Sequence, residues 1–316
     1  MTNKKITILL ATYKGAEYIA EQLDSLLNQT YSNWELIIHD DGSPDETLDI
    51  ISAYAKTDNR VKILLDTNKH LGACQNFSHL MSANIEGDYV MFCDQDDIWE
   101  SDKIEKSLNA ILSLELTHGI NEPLMVYGTY RMINQEGGIL YLDSPDYSVK
   151  PNLRLLLSQN YIYGCTMIIN RRLLTLSSSI PNTAENHDYW ICLVALMNNA
   201  HIGYIIEPMI LYRQHSNNVS GSYTNASFLN RIKRILNDSE VVSIKSRLKM
   251  FRSLNERFEG ESSHKKLLSS YIENVSKGGW AALLFCVKNG ISRRGKLQSI
   301  LFYFNLWRTP KSIELL

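Results

Sequence analysis

Ile6-Thr7-Ile8-Leu9-Leu10-Ala11-Thr12-Tyr13-Lys14-Gly15 opens the chain with a continuous apolar run that stops at a polar turn. An unbroken run of this length, without alternation, suits a strand buried on both faces. Lys4-Lys5 ahead of it imitates the start of a signal peptide, but the run is short and leads into a turn, so a strand is expected. Behind it Tyr18, Ile19, Leu23, Leu26 and Leu27 recur at helical spacing. Trp34 to His39 predicts a second strand, which ends at Asp40-Asp41-Gly42. Ser43-Pro44-Asp45-Glu46 reads as a helix start, with Ser43 as cap, Pro44 in the first turn and Glu46 closing a capping box. Leu48, Ile51 and Tyr54 carry that helix. Val61 to Leu65 predicts a third strand, Phe77, Leu80 and Met81 mark another helix, and Tyr89 to Cys93 a fourth strand. Repeated βα units imply an α/β protein with a mainly parallel, doubly wound sheet. Ligands of such sheets bind beyond the carboxyl ends of the strands.

The residues just past those ends are therefore informative. Ala11 to Gly15 holds one glycine, and neither a dinucleotide fingerprint nor a P-loop is present, so NAD and P-loop chemistry are unsupported. Asp40-Asp41 stands after the second strand and Asp94-Gln95-Asp96-Asp97 after the fourth. Two acidic clusters on one sheet edge repel each other, and a hard divalent cation such as Mg²⁺ or Mn²⁺ would offset that cost while leaving positions open for phosphates. Asp45 reads equally as a helix-capping residue.

The chain has 316 residues, 44% apolar and 21% charged, which suits a catalytic-size domain with an extension and excludes wholesale disorder. Cys74, Cys93, Cys165, Cys192 and Cys286 never form a Cys-x-x-Cys pair, which argues against a disulfide framework or a zinc site and suits a reducing cytosol. The longest candidate for a membrane span, Trp280 to Val287, falls far short of the ~18 residues needed.

Net charge is -2, yet Ala226 to Leu316 carries 17 Lys and Arg against 7 Asp and Glu, leaving 15 against 27 for the rest. This asymmetry places a boundary near Ser216 to Ser222, giving a domain over 1–221 and a basic helical extension over 222–316. Phe228, Ile232, Ile235 and Leu236 fall at helical spacing among Arg231, Lys233 and Arg234. Trp280 to Val287 and Ile300 to Trp307 are aromatic-rich, with Arg293-Arg294-Gly295-Lys296 between them. Basic residues beside such helices suggest contact with an inner-membrane surface. The alternative is a helical cap packed on the domain. No nucleic-acid-binding module accompanies the charge.

Ala11-Thr12-Tyr13-Lys14-Gly15-Ala16-Glu17-Tyr18, the stretch from Leu27 to Asp45, and Phe92 to Trp99 together resemble the inverting family-two glycosyltransferases with a GT-A (Rossmann-like) fold. The resemblance runs in order over residues 4 to 221. Cys93 to Trp99, with His187-Asp188-Tyr189-Trp190 and Tyr212-Arg213-Gln214-His215, is similar to the bacterial rhamnosyltransferase-like branch that builds cell-surface polysaccharides. The resemblance implies a nucleotide-sugar donor, dTDP-L-rhamnose from the branch likeness, with UDP- or dTDP-hexoses as alternatives. It also implies a lipid-linked or oligosaccharide acceptor and a cytoplasmic enzyme peripheral at the inner face of the membrane.

By the same resemblance, Ala11, Thr12 and Tyr13 cradle the nucleotide base, with Glu17 opening the next helix beside them. Asp40 and Asp41 include the residue that binds base or ribose, and Gly72 and Asn76 approach the nucleotide. Cys74-Gln75 departs from the basic residue often found nearby. Asp94, Gln95 and Asp96 form the D-x-D element for ribose and metal, and the share taken by Asp97 stays open. Asp188 is the implied general base, taking the proton of an attacking hydroxyl. It could instead cap a helix, as could Asn186, and Glu185 is a rival base; His187 orients or packs. Arg213 and His215 are implied to contact diphosphate or metal. Tyr163 to Thr166 resembles the acceptor wall, and Trp99 and Trp190 read as packed shoulders. A non-catalytic nucleotide-sugar-binding subunit is the rival from another class, and an intact Asp188 speaks against it. A nucleotidyltransferase would want a glycine-rich, basic first loop.

Overall fold

The computed structural model describes residues 3–66, 70–141, 151–215 and 239–309. Strands β1 (Ile6–Thr12), β2 (Trp34–Asp40), β3 (Val61–Ile63) and β4 (Tyr89–Cys93) alternate with helices α1 (Ile19–Leu27), α2 (Thr47–Thr57) and α3 (Ala73–Met81). Then come β5 (Ile98–Trp99), α4 (Lys103–His118), β6 (Leu124–Ile133) and β7 (Ile139–Tyr141). The next elements are α5 (Leu153–Leu156), a short 3-10 helix (Gly164–Thr166), β8 (Ile168–Asn170), α6 (Arg171–Ser177), α7 (His187–Met197) and β9 (His201–Arg213). Four helices close the described chain: α8 (Ser239–Arg257), α9 (Ser263–Lys277), α10 (Gly279–Lys288) and α11 (Lys296–Arg308).

The strands form one sheet in the order β3-β2-β1-β4-β8-β6-β9-β5, with β7 on β6. β3, β2, β1 and β4 are parallel. β8 runs antiparallel to both β4 and β6, whereas β6 and β9 are parallel again. Every residue of β4 is buried, and β1 exposes only part of Ala11, as expected for strands covered on both faces. α1 packs on α2, while α3 lies against β1 and β2 and meets α7. Register then brings the polar ends together: Thr12 sits beside Asp40, and Leu10 beside Cys93, so Asp94 emerges next to the end of β1.

Two local expectations are corrected. α2 starts at Thr47 without a side-chain cap, and Ser43 instead donates to Asp40 (Oγ to Oδ2, 2.6 Å). Asp45, one residue ahead of the N-cap Glu46, accepts from the Thr47 N–H (3.3 Å) and hydroxyl (2.5 Å). β3 ends at Ile63 rather than Leu65, with the Leu64 N–H donating to the Ile38 carbonyl of β2 (2.8 Å) just past it. Glu17 lies ahead of α1, whose N-cap is Tyr18.

The C-terminal helices share the core of the sheet domain. Phe251 meets Tyr189 of α7 at 6.3 Å and Tyr271 of α9 at 5.5 Å, both edge-to-face. The Tyr271 hydroxyl donates to the Leu157 carbonyl (2.9 Å), and His264 Nδ1 to that of Leu196 (2.9 Å). Arg293 pairs with Glu240 and covers Phe302, and Arg294 covers Tyr161, so the Arg293-Arg294 step fastens helices together instead of facing outward. The boundary expected at 221/222 and the Phe228 to Leu236 helix lie outside the described residues. No described helix is long and apolar enough to cross a membrane.

Candidate active site

The loop after β1 is held by Asp40 at the end of β2. Asp40 Oδ1 accepts from the N–H of Gly42 (3.1 Å) and Ser43 (2.7 Å), while Oδ2 takes the Thr12 hydroxyl (2.9 Å). Ser43 Oγ in turn accepts the Lys14 N–H (2.8 Å), and Lys14 sits at φ 51°, a strained setting for a residue with a Cβ. Gln95 clamps the loop from the other side: Tyr13 N–H donates to its Oε1 (2.9 Å) and its Nε2 to the Tyr13 carbonyl (3.0 Å). A Cβ on Gly15 would lie 2.4 Å from Gln95 Oε1, so the clamp needs glycine there. The Tyr13 ring is left exposed, and Ala11 is half-buried behind it.

Asp41 and Asn76 are spent on the fold. Asp41 is buried and accepts from the N–H of Leu71 (2.7 Å) and Gly72 (2.8 Å). Asn76 is buried against His39, donating to its carbonyl (3.2 Å) and meeting its Nδ1 (2.8 Å). These two shape the cleft wall rather than point into it. Glu17 is exposed, accepting from Gln135 (2.9 Å).

The second acidic cluster is divided by burial. Asp94 and Asp96 are half-buried, and Asp97 is 1% exposed. Asp97 accepts the Arg213 N–H (3.2 Å), while its Oδ2 has no partner among the described residues. Burial first, then the Asp96 and Asp94 charges, push its carboxyl well above the usual range; the same burial, with Asp96 and Asp188, lifts Asp94 to about 7. Ligand atoms of Asp94, Asp97 and Cys165 lie within 4.8 Å of one another. An unpartnered carboxylate oxygen beside mutually repelling acids is a donor set that suits a hard cation, and the half-buried Asp94 and Asp96 are the members that a phosphate could share. Asp96 Oδ2 also meets His215 Nε2 at 2.7 Å, which joins the two residues expected to take metal.

Arg213 is not poised for a diphosphate. Its guanidinium donates to the carbonyls of Asp96 (3.0 Å) and Gln135 (2.7 Å), pairs with Glu21 and covers Tyr18 at 4.9 Å. It is buried, and its charge is committed to joining three strand ends.

Lys103 belongs to no motif in the sequence. It is fully buried on α4, its Nζ 3.4 Å from the Trp99 ring centroid and without a hydrogen bond among the described residues. Burial pulls it down to about 7, against the opposing pull of Cys165, Cys93 and Asp97. It places the one buried cationic side chain of α4 under the acidic cluster. Lys103, Ile104, Ser107, Leu108 and Ile111 share the buried stripe of that helix, and this period is the signal by which sequence could have found it.

Asp188 lies in the first turn of α7, whose N-cap is Asn186, so it does not cap that helix. It is 7% exposed and accepts from Asn160 Nδ2 (2.9 Å), Gly164 N–H (3.1 Å) and its neighbour Tyr189 N–H (2.5 Å). Burial outweighs these bonds and lifts its carboxyl to about 6. Its charge is felt by Asp94, which puts the expected base beside the acidic cluster. Glu185 is turned away into an ion pair with Arg247 (3.0 Å). His187 stacks on Phe77 at 3.8 Å, and burial drops its pKa to about 3, which keeps it neutral packing. A Cβ on Gly164 would come 2.3 Å from His187 Nε2, so this close approach also requires glycine. Trp99 and Trp190 are both buried, as packed shoulders should be.

Residues 7–175 match the family described as Glycosyl transferase family 2. The chain belongs to that family. An uncharacterized glycosyltransferase of Rickettsia prowazekii is 34% identical over 52% of this chain and 49% of its own. The putative teichuronic acid biosynthesis glycosyltransferase TuaG of Bacillus subtilis is 27% identical over 72% of this chain and 86% of its own. The dTDP-rhamnosyl transferase RfbG of Shigella flexneri is 29% identical over 72% and 78%. The chain spans 36% of one Rickettsia felis relative and about half of the R. prowazekii one. S. aureus TarS 1-349 in complex with UDP-GlcNAc superposes with a TM-score of 0.57 at 18% identity, covering 96% of this chain and 79% of that one. The mannosyltransferase PcManGT of Pyrobaculum calidifontis, with GDP-Man and Mn²⁺, gives 0.53 at 17%, covering 91% and 74%. These neighbours share the GT-A fold with this chain.

Proposed function

We propose that this family-two glycosyltransferase transfers a sugar from a nucleotide donor, with inversion, to a growing surface polysaccharide, and that Asp188 is its general base. The observation that carries the reading is the buried Asp188 carboxylate with its pKa near 6, set beside the Asp94–Asp96 edge. A base titrating near working pH is ionised enough to act and basic enough to pull a proton from an acceptor hydroxyl. Gly164 N–H and Asn160 hold the carboxylate in one orientation. The exposed Tyr13 ring, on a loop clamped by Asp40 and Gln95, offers a face to the base of the nucleotide. Asp94 and Asp96 would hold Mg²⁺ or Mn²⁺, with His215 on Asp96; the cation would supply counter-charge to the leaving diphosphate. The Mn²⁺ in the mannosyltransferase complex supports that choice.

A dTDP-L-rhamnose donor is supported by the branch motifs and the likeness to RfbG; UDP- or dTDP-hexoses are the alternative. A lipid-linked or oligosaccharide acceptor is in keeping with the likeness to TuaG. The end of the chain supports a membrane contact. Trp280, Leu284 and Val287 of α10, and Leu297, Ile300, Phe304 and Trp307 of α11, are all exposed at helical spacing. Trp280 and Trp307 meet edge-to-face at 6.2 Å, which joins the stripes into one patch, with Lys277, Lys288 and Lys296 exposed nearby in the chain. Such a patch suits the headgroup region of an anionic bilayer, and a peripheral position at the cytoplasmic face. The test of the whole reading is a screen of nucleotide sugars for turnover with and without Mn²⁺. Selective hydrolysis or transfer with a single donor supports it, and a chain that binds donors yet turns none over, with any acceptor fraction, sinks it in favour of a binding subunit.

A further inference from the structure

His39, Asp66 and His79 take no part in the proposed reaction, yet their ligand atoms all fall within 4.8 Å of one another. They come from separate elements: His39 from β2, Asp66 from the segment after β3, and His79 from the last turn of α3. The tautomer of His39 is set by its neighbour. Asn76 Nδ2 donates to the His39 carbonyl (3.2 Å), which turns Asn76 Oδ1 toward His39 Nδ1 at 2.8 Å. An amide oxygen only accepts, so Nδ1 carries the proton and the Nε2 lone pair of a neutral ring faces Asp66 Oδ1 at 3.4 Å. His79 Nε2 reaches the other oxygen of the same carboxylate.

His79 Nε2–H can donate to Asp66, but the His39 Nε2 lone pair facing the same carboxylate sets an acceptor against an acceptor, a contact that a cation would relieve. A single dication satisfies both neutral rings and the carboxylate together. We propose that His39, Asp66 and His79 bind a borderline transition-metal dication, Zn²⁺ by ligand preference, with the remaining position left to water. The cysteine pattern speaks only to thiolate sites, and this one is built from imidazoles. Asn76 supplies the support that metal-ligating histidines usually have on their second nitrogen. Access is available, since His79 lines a surface cleft with Leu71, Gln75, Ser78, Ser82 and Ser179. The ion would staple the segment after β3 to β2 and α3, next to the Leu71 and Gly72 amides that Asp41 grips. Its role is to stiffen that wall of the cleft.

Cobalt(II) titration of chelator-treated protein tests this, with Zn²⁺ as competitor and thermal melting as a second readout. The expected result is one tightly held Co²⁺ with an intense, tetrahedral-type visible spectrum, displaced by Zn²⁺ and retained in Asp96→Ala. In His79→Ala and in Asp66→Ala, both at partly exposed side chains, affinity should fall at least ~10²-fold and the Zn²⁺-induced rise in Tm should vanish. Circular dichroism of the two variants checks that they fold. Absence of a tight site in the wild type, or a site that survives His79→Ala and Asp66→Ala, overturns the proposal. A site lost in Asp96→Ala would reassign the ion to the other cluster and overturns it equally.

Discussion

Replacing Asp188 by asparagine separates chemistry from architecture. The folded pKa near 6 stands well above the ~3.9 of an unfolded aspartate, so keeping this buried group ionised at pH 7 costs about 3 kcal/mol. A neutral amide would remove that cost. Against it, the three donors from Asn160, Gly164 and Tyr189 converge on the carboxylate, and an amide presents them with one oxygen and one NH₂. One donor would then face another donor, at about 1–3 kcal/mol. The two effects are similar in size and opposite in sign, so Asp188→Asn should stay folded, with stability within about 2 kcal/mol of wild type. Transfer to the true acceptor should nonetheless drop at least ~10²-fold, the low end of what positioned proton transfer contributes. Donor affinity measured by calorimetry should barely move.

The pH behaviour supplies an independent readout. Wild-type kcat/KM should fall as pH drops through about 6, because the protonated carboxyl cannot act as base, and the variant should lose that limb. Stability should run the other way. Between about pH 4 and 6 the folded state binds the proton that the unfolded state has released, so the Asp188 contribution improves as pH falls through that window. Near wild-type turnover by a folded Asp188→Asn protein would refute the assignment, and with Glu185 held by Arg247 it would leave the mechanism without a base on α7.

Asp96→Ala, or treatment with EDTA, should abolish transfer while leaving the fold intact; full turnover in EDTA would remove the metal from the mechanism. Gly164→Ala forces a Cβ to within 2.3 Å of His187 Nε2, and should cost about 1–3 kcal/mol in urea unfolding while displacing the N–H that holds Asp188; a neutral result would mean that His187 can swing aside. Trp280→Ser with Trp307→Ser should weaken flotation on anionic vesicles several-fold, and added salt should weaken binding by the wild type through its lysines. Arg293→Ala should instead lower Tm, since it breaks the pair with Glu240; vesicle binding lost with unchanged Tm would contradict its placement.

Much of the fold is legible in local periodicity. β1 and β4 are readable from nearly continuous apolar runs, because a strand covered on both faces has little polar side to show. The acidic edge is readable too, since parallel strands that start alike must end alike. The expected capping box fails because Ser43 has a stronger partner in Asp40, and such competition is invisible in a four-residue pattern. Among the described residues the basic C-terminal part is helical, yet two of its most conspicuous arginines are turned inward.

The sequence alone therefore determined the βα alternation of the first hundred residues and which sheet edge carries the carboxylates. Only tertiary structure decided how each polar group is spent. Asp41 and Asn76 go to backbone, Arg213 goes to Glu21, and Glu185 goes to Arg247. Lys103 goes beneath the acids, and His39, Asp66 and His79 meet around one point. Periodicity is a property of neighbours three or four residues apart, whereas a buried charge takes its partner from segments as distant as Glu21 and Arg213. That choice depends on strand register and helix docking, which no short window of sequence contains.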